Sequence, residues 1–470
     1  MTHIVTHPAT ERARLLPKLL AICSLLLATG TSGPAAAEDA ALRRLADVAE
    51  RAYVYGFPLY EMYRIRYGAL YDTKRVWHQV PNHFVHVRAL AGPQSRAVTA
   101  PNNDTLYSSA WLDLATEPLV VHVPDTAGRY YSLAFMDFYT NNFAYIGRRA
   151  TGTKAGDYVV AGPGWQGRLP PGLPVIRAPT PAVWLLGRTL VDGADDLAAA
   201  HAVQDGYRIT PLSTWRKEPG PDKPAGAAPL APDPGDPWNF FRIVDLALTE
   251  NPPPPRDAAA LRDFAAIGIG PGLHFDTAKF SAAELQALRQ GMDEAADGLK
   301  RAGSIRSKGW NRPPADLGNY GTDYNLRAVV ALVGLAALEP VEAMYLGADT
   351  DSSGRTLDGR EHYHIHFSAG GLPPCDAFWS LTLYEIDADK RAFLAANPID
   401  RYSIGDRTKG LVYDEHGALE IVIAHHPPAG ARRANWLPAP DGPFRLSLRC
   451  YQPKPALLQG RYHLPDIVRG

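Results

Sequence analysis

The sequence predicts a mainly β protein with helical segments: two β-sandwich domains of jelly-roll type joined by a helical bridge. Three observations lead there. Short runs alternating apolar and polar residues fill 83–188 and recur over 363–451, punctuated by turn residues at the spacing of a sandwich. The 41 glycines and 42 prolines supply many turns, and 10% of the residues are aromatic, which suits sandwich cores. Between the two regions the apolar spacing becomes helical. The expected divisions are 1–37, a signal peptide; 38–215, a helix with a first sandwich; 216–340, a linker and helical bridge; and 341–470, a second sandwich.

The first segment reads as an address. Arg12, Arg14 and Lys18 precede an apolar run over 19–28, and Ala35-Ala36-Ala37 stands just before Glu38-Asp39. That is the pattern of a secretory signal cleaved near Ala37, and the apolar run is too short for a membrane span. The expected destination is the periplasm or the medium, with no membrane attachment after cleavage.

Leu42, Leu45, Val48 and Ala52 then fall at helical spacing, so 41–71 is expected as one or two helices interrupted by Gly56 and Pro58. The stretch 101–114 opens on a polar knot, Asn102-Asn103-Asp104-Thr105, of the kind that forms an Asx turn. It continues as a strand with Leu106, Ser108, Ala110 and Leu112 on one face and Tyr107, Ser109 and Trp111 on the other. Further strands are expected at 119–123, 130–137, 158–160 and 184–190. Residues 218–236 are rich in Pro, Gly and Ala and read as a linker. Helices are expected over 238–248, 257–266 and 282–301, the last opened by a Ser281/Glu284 capping box. Gly268-Ile269-Gly270-Pro271-Gly272 follows a helix and contains Pro, so it is a turn and not a nucleotide loop. A helix over 324–338 ends by Pro340. Strands return at 363–367, 378–384, 419–424 and 444–451, with turns at Asp358-Gly359, 414–417 and Asp441-Gly442.

Composition limits the function. A formal net charge of -1 lacks the basic excess that nucleic acid or a membrane surface requires. After cleavage of a signal only Cys375 and Cys450 remain, as a disulfide or as two buried thiols, without the spacing of a zinc or iron–sulfur site.

Several separate motifs carry a family resemblance. NNDTLYSSAWLDL (102–114), VPDTAGRYYSLAFMDFYTNNFAYIG (123–147) and AGDYVVAGPGW (155–165) resemble domain of unknown function 1254. EAMYLGADTDSSGRTLDGREHYHIHF (342–367), PPCDAFWSLTLYE (373–385), NPIDRYSIGDRT (397–408), NWLPAP (435–440) and FRLSLRCYQP (444–453) resemble domain of unknown function 1214. The resemblance implies an exported bacterial protein of two sandwich-like domains bridged by helices, and it brings no reaction with it.

Three readings of the chemistry compete. Asp104, Tyr107, Arg129 and Tyr131 are candidate catalytic residues. Asn103, Asp137, Tyr139, Asn142, Trp379, Arg401, Tyr402, Asn435 and Trp436 are candidate contacts to a saccharide or other polar small molecule in a cleft between the domains. Aromatic faces stack on sugar rings while Asn, Asp and Arg fix hydroxyls or carboxylates, and hydrolase or lyase chemistry by acids and bases follows. The second reading is a metal enzyme. His364 and His366 would share one strand face and hold a divalent ion with an added carboxylate. The third is a binding module without catalysis, since no Gly-x-Ser-x-Gly elbow, His-Glu-x-x-His pair or catalytic-Cys signature is present.

Overall fold

The computed structural model describes residues 34–74, 78–222, 229–303 and 308–470. The segment 1–37 expected as a signal peptide lies almost wholly outside the described residues.

Nine strands build the first sandwich: β1 (Val85–His86), β2 (Thr105–Asp113), β3 (Leu119–Val123), β4 (Tyr131–Met136), β5 (Asn142–Gly147), β6 (Gly156–Ala161), β7 (Val175–Arg177), β8 (Ala182–Leu190) and β9 (Arg208–Pro211). One sheet runs β1-β2-β8-β4-β5 and the facing sheet β7-β6-β3-β9, antiparallel except for the β6–β7 pair. Ala110, Leu112, Leu133 and Phe135 from the first sheet close on Val121 and Val160 from the second. The strand expected after the polar knot alternates as the sequence implies, with Ser108, Ala110 and Leu112 buried on one face. Its other face is not wet. Trp111 stacks on Trp184 across the β2–β8 pair at 5.4 Å and faces the helices.

The second sandwich repeats the plan with β10 (Ala343–Ala348), β11 (Tyr363–Phe367), β12 (Cys375–Ile386), β13 (Ala392–Leu394), β14 (Ser403–Gly405), β15 (Leu419–Ala424), β16 (Trp436–Pro438), β17 (Phe444–Pro453) and β18 (Val468–Arg469). β10-β17-β12-β13, with β14 beside β12, faces β16-β15-β11-β18. Leu381, Leu446 and Leu448 meet Ile365, Ile421 and Ile423 between them. Cys375 and Cys450 are both free thiols, Cys450 buried and Cys375 only half-buried.

The helices are α1 (Pro34–Leu70), α2 (Leu197–Gly206), α3 (Leu212–Arg216), α4 (Asn239–Glu250), α5 (Ala258–Phe264), α6 (Ala282–Gly303), α7 (Tyr324–Val333) and a last short turn, α8 (Pro455–Leu458). Two expectations change here. The interruption at Gly56 and Pro58 does not occur, and α1 is one helix of 37 residues. Packing on α4, α6 and α7 outweighs the hydrogen bond that Pro58 removes, and Gly56 gives room to Val244, which a Cβ would approach to 2.7 Å. The helix expected to reach 338 stops at Val333, because Gly334 ends it and Ala336 turns back with φ 68°. The capping box of α6 forms as expected: the Ser281 N–H donates to Glu284 at 2.7 Å and the Glu284 N–H to Ser281 Oγ at 3.3 Å. The described parts of 218–236 hold no regular element until the approach to α4, and Leu230 is tied down by the Tyr63 hydroxyl at 2.9 Å. Among the described residues no helix is long and apolar enough to cross a membrane.

The helices cover the outer face of the β2–β8–β4 sheet with an aromatic core of Tyr55, Tyr63, Phe138, Tyr139, Phe241 and Phe275. Beside them the second sandwich packs on the same sheet through Tyr130, Leu338, Phe378 and Tyr451.

Candidate functional site

The polar knot at 102–105 is both a turn and a joint. Asn102 Oδ1 accepts the N–H groups of Asp104 (2.6 Å) and Thr105 (3.2 Å), the Asx geometry the sequence suggests. Its amide donates to the Tyr451 hydroxyl in the second sandwich at 2.6 Å. Asn103 donates to Ala91 O at 2.6 Å. Asp104, 2% exposed, takes hydrogen bonds from Ser380 Oγ and Arg407 Nη2, both at 2.6 Å. Its carboxylate is thus consumed in the contact between the sandwiches. Tyr107 lies under the buried Arg188 guanidinium, 5.2 Å from its ring, and Arg188 donates to Ala336 O at 2.9 Å.

Arg129 grips Asp196 with both terminal nitrogens and also donates to Leu190 O at 2.7 Å. Tyr131 is in the first sandwich core, its hydroxyl donating to Gly152 O at 3.2 Å. In the second sandwich Arg401 donates to the carbonyls of Ala434 (2.8 Å) and Trp436 (3.0 Å). Asn435 is saturated by Val412 and the Glu420 carbonyl, and the buried Trp436 donates to Ala424 O at 2.8 Å. Tyr402 donates to Asp400 at 2.9 Å, and Trp379 packs on Phe367 inside the sandwich. Each of these groups has a partner that accounts for its position, so the thirteen residues proposed for catalysis and binding do not form one constellation.

His364 and His366 do share a face of β11. Tyr363, Ile365 and Phe367 point inward while His364 is half-buried and His366 exposed. Glu420 stands opposite His366 on the neighbouring β15, but among the described residues no group of three or more His, Cys, Asp or Glu side chains is placed to hold a metal. His366 and Asn435 instead line a shallow hollow of about 270 Å³ with Asp414, Glu420 and Arg432.

Three of the predicted residues come together elsewhere. Asp137, Tyr139 and Asn142 line a cavity of about 860 Å³ with Asn141, Phe143, Thr180, Asn319, Glu339, Arg256 and the proline run Pro252–Pro255. The cavity lies between the first sandwich and the helical bridge. The sequence expectation was a cleft between the two sandwiches, but those faces meet in aromatic packing and buried ion pairs.

Local chemistry shapes the walls. The β4–β5 connection turns at Thr140, whose φ of 66° is tolerated because Asp137 staples the loop. Asp137 Oδ1 accepts the N–H groups of Tyr139 and Asn141 at 2.9 Å each, and the Asn141 amide reaches Oδ2 at 3.1 Å. Burial pushes the Asp137 carboxyl up despite these donors. On the opposite wall Asn251, which ends α4, accepts the Tyr139 hydroxyl at 2.8 Å and the Ala182 N–H at 3.0 Å. That fixes the start of the proline run, which is extended at Pro254 and then enters a 3-10 turn at Pro255–Asp257 that carries Arg256.

The third wall is the segment around 318–339. The Asn142 N–H donates to Gly318 O at 2.7 Å, its amide to Ala337 O at 2.8 Å, and the Tyr320 N–H to Asn141 Oδ1 at 3.1 Å. Gly318 has φ 81°, and a Cβ there would meet Asn142 Nδ2 at 2.8 Å and Glu339 Cγ at 3.0 Å. The absent side chain is what lets Asn142 and Glu339 approach each other. Asn142 Oδ1 is buried and has no protein partner. Glu339 is half-buried, and its carboxyl is pushed up by burial and held against a further rise by the Tyr145 hydroxyl and Arg149. Arg256, in contrast, is exposed at the rim beside the proline wall, and none of the hydrogen bonds or ion pairs of the described residues involves its guanidinium.

Glu339 and Arg256 were missed in the sequence. Glu339 closes an Ala/Leu-rich run before Pro340 and Arg256 follows four prolines, and neither pattern distinguishes a cavity wall from a surface loop.

The comparisons with known proteins agree with the fold and stop short of a reaction. Residues 81–211 match the protein family of unknown function DUF1254, and residues 342–455 match DUF1214. Together they span just over half of the chain. The crystal structure of the VPA0106 protein from Vibrio parahaemolyticus is similar at 29% identity and a TM-score of 0.72, covering 91% of this chain and 100% of that one. An uncharacterised protein from Burkholderia cenocepacia shares 14% identity over 92% of this chain and 96% of its own, with a TM-score of 0.42. No curated protein matches. Both matches stand in the order the motifs imply: a region similar to DUF1254 is followed by a region similar to DUF1214.

Proposed function

We propose that the protein is an exported enzyme that acts by acid/base chemistry on a polar, carbohydrate-like small molecule held in the 860 Å³ cavity. The observation that carries this reading is Glu339. It is a half-buried carboxyl in a large cavity, with a proton affinity raised by burial. A carboxyl in that state gives up and retakes a proton closer to neutral pH than an exposed one, which general acid/base catalysis needs. Asp137 acts differently in this account. Its oxygens are occupied by the turn, so it holds the loop that carries Asn141 and Asn142. Phe143 and the prolines offer flat apolar faces, and the amides of Asn142 and Asn319 offer hydrogen bonds, a lining suited to a hydroxylated ring.

Glu339 protonates a leaving oxygen in a hydrolysis, or takes a proton from carbon in an elimination; both fall within the proposal. The test is a screen of oligosaccharides by mass spectrometry and by thermal shift. The expected result is turnover of one member, lowered at least about 100-fold by Glu339→Gln while ligand-induced stabilisation persists. Turnover at the wild-type rate in that variant rejects Glu339 as the proton carrier. Stabilisation without product in the wild-type protein favours the binding-module reading. Export is tested by fractionating cells that express the full chain: a mature product beginning near Ala37 outside the cytoplasm is expected.

A further inference from the structure

We propose that the molecule bound in this cavity carries a carboxylate, and that Arg256 is the residue that selects for it. The inference rests on the cleft reading above and adds the charge of the ligand. Most arginines near the cavity already have a partner. Arg149 pairs with Glu342, and Arg327 is buried against the rings of Tyr55, Tyr139 and Tyr324 while donating to Tyr55 O. Arg256 has neither a carboxylate nor a carbonyl, although it stands on a wall made rigid by the prolines before it. A guanidinium presents a planar fork of donors that fits a carboxylate in bidentate fashion, so an unpaired one on a stiff cavity rim is a ready anion receptor.

The two acids of the lining do not oppose this. Asp137 has its oxygens covered by donors from Tyr139 and Asn141, and Glu339 is held by Tyr145 on the wall that also carries Asn142. Hydroxyl groups on the ligand answer the remaining polar atoms, including the orphaned Asn142 Oδ1, which needs a donor and not another acceptor. The chemical class is therefore a hydroxylated ring bearing one carboxylate, as in a uronic acid.

Paired probes decide it. D-glucuronate and D-galacturonate, each with its methyl ester and its parent sugar, are titrated at millimolar concentration against the full chain by thermal shift and calorimetry. One acid is expected to bind with its ester and parent sugar at least about tenfold weaker. Arg256→Gln should weaken the acid by about tenfold to a hundredfold, and Arg256→Lys should restore part of that loss. Because Arg256 is exposed, neither variant should alter the melting temperature of the free protein by more than about 1 °C. If ester, sugar and acid bind alike, or if Arg256→Gln keeps the preference for the acid, the charge assignment is overturned and the cleft reading stands. If no probe stabilises the wild-type chain, the uronic-acid class is overturned together with the carbohydrate-like reading of the cleft.

Discussion

Asp406 shows how one carboxyl records its surroundings. It follows Gly405, accepts the Trp379 N–H at 3.3 Å, and sits beside the Asp104–Arg407 pair where the two sandwiches meet. Although the residue is exposed by surface area, desolvation by the chain around it pushes its carboxyl up to about 6, with Arg407 pulling the other way and Asp104 adding to the rise. The folded chain therefore holds a proton there that the unfolded chain has lost. The resulting stability is present in full below about pH 4, where the unfolded carboxyl is also protonated, and it disappears as the pH rises through 6. Asp406→Asn keeps an acceptor for Trp379 and removes the charge. It should be more stable than wild type by about 1 kcal/mol at pH 8, after allowance for solvent screening, and the gap should close toward pH 4. Urea titrations at both pH values measure this, and a gap that grows toward acid pH contradicts desolvation as the cause. At the same scale Asn102 was legible, since its Asx bonds reach only two and three residues along the chain. Its bond to Tyr451 was not, because nothing in either local sequence names the other.

Among the elements, the crossing of α1 and α6 is set by Gly291. A Cβ there would lie 2.1 Å from Ala46 O and 3.0 Å from Glu50 N, so the two backbones touch. On an exposed helix, replacing Gly by Ala adds about 1 kcal/mol of helix stability. Here the sign should reverse: Gly291→Ala forces the helices apart and is expected to cost about 1–3 kcal/mol in a denaturant titration. A stabilised variant would show that the helices separate freely. The capping box of this helix could be read from Ser281 and Glu284 because it is a three-residue device, whereas the contact at Gly291 involves residues some 245 positions away. The same limit applies to Gly56 and Pro58, which are breaking signals by local rule and lie inside an unbroken helix because α4, α6 and α7 hold it.

The whole molecule is held as one body by polar groups that cross from one sandwich to the other. Arg449 donates to Ala100 O at 3.1 Å, Tyr130 to Glu342 at 2.9 Å, and Arg148 to Asp376 O at 3.1 Å, alongside the Asp104 and Asn102 contacts. Phe378 and Tyr451 stack at 4.2 Å against the ring of Tyr130. Separating the halves would expose these aromatics and strand buried arginines without acceptors. The full chain is therefore expected to melt in a single calorimetric transition with equal calorimetric and van't Hoff enthalpies. Two resolved transitions would mean that each sandwich is stable without the other.

Periodicity and turn chemistry act over a few residues, so the sequence by itself determined the two β-rich regions, the helical stretch between them and turns such as the one closed at Asp414 and Gly417. It also named Asp137, Tyr139 and Asn142, which share a short loop. Only the tertiary structure decided that Asp104, Arg129 and Arg401 are tied to partners far along the chain, and that Arg256 and Glu339 meet the Asp137 loop around one cavity. The reason is that a side chain's role depends on which groups satisfy it. For a buried charge those groups are chosen by packing between distant elements, which no local pattern encodes.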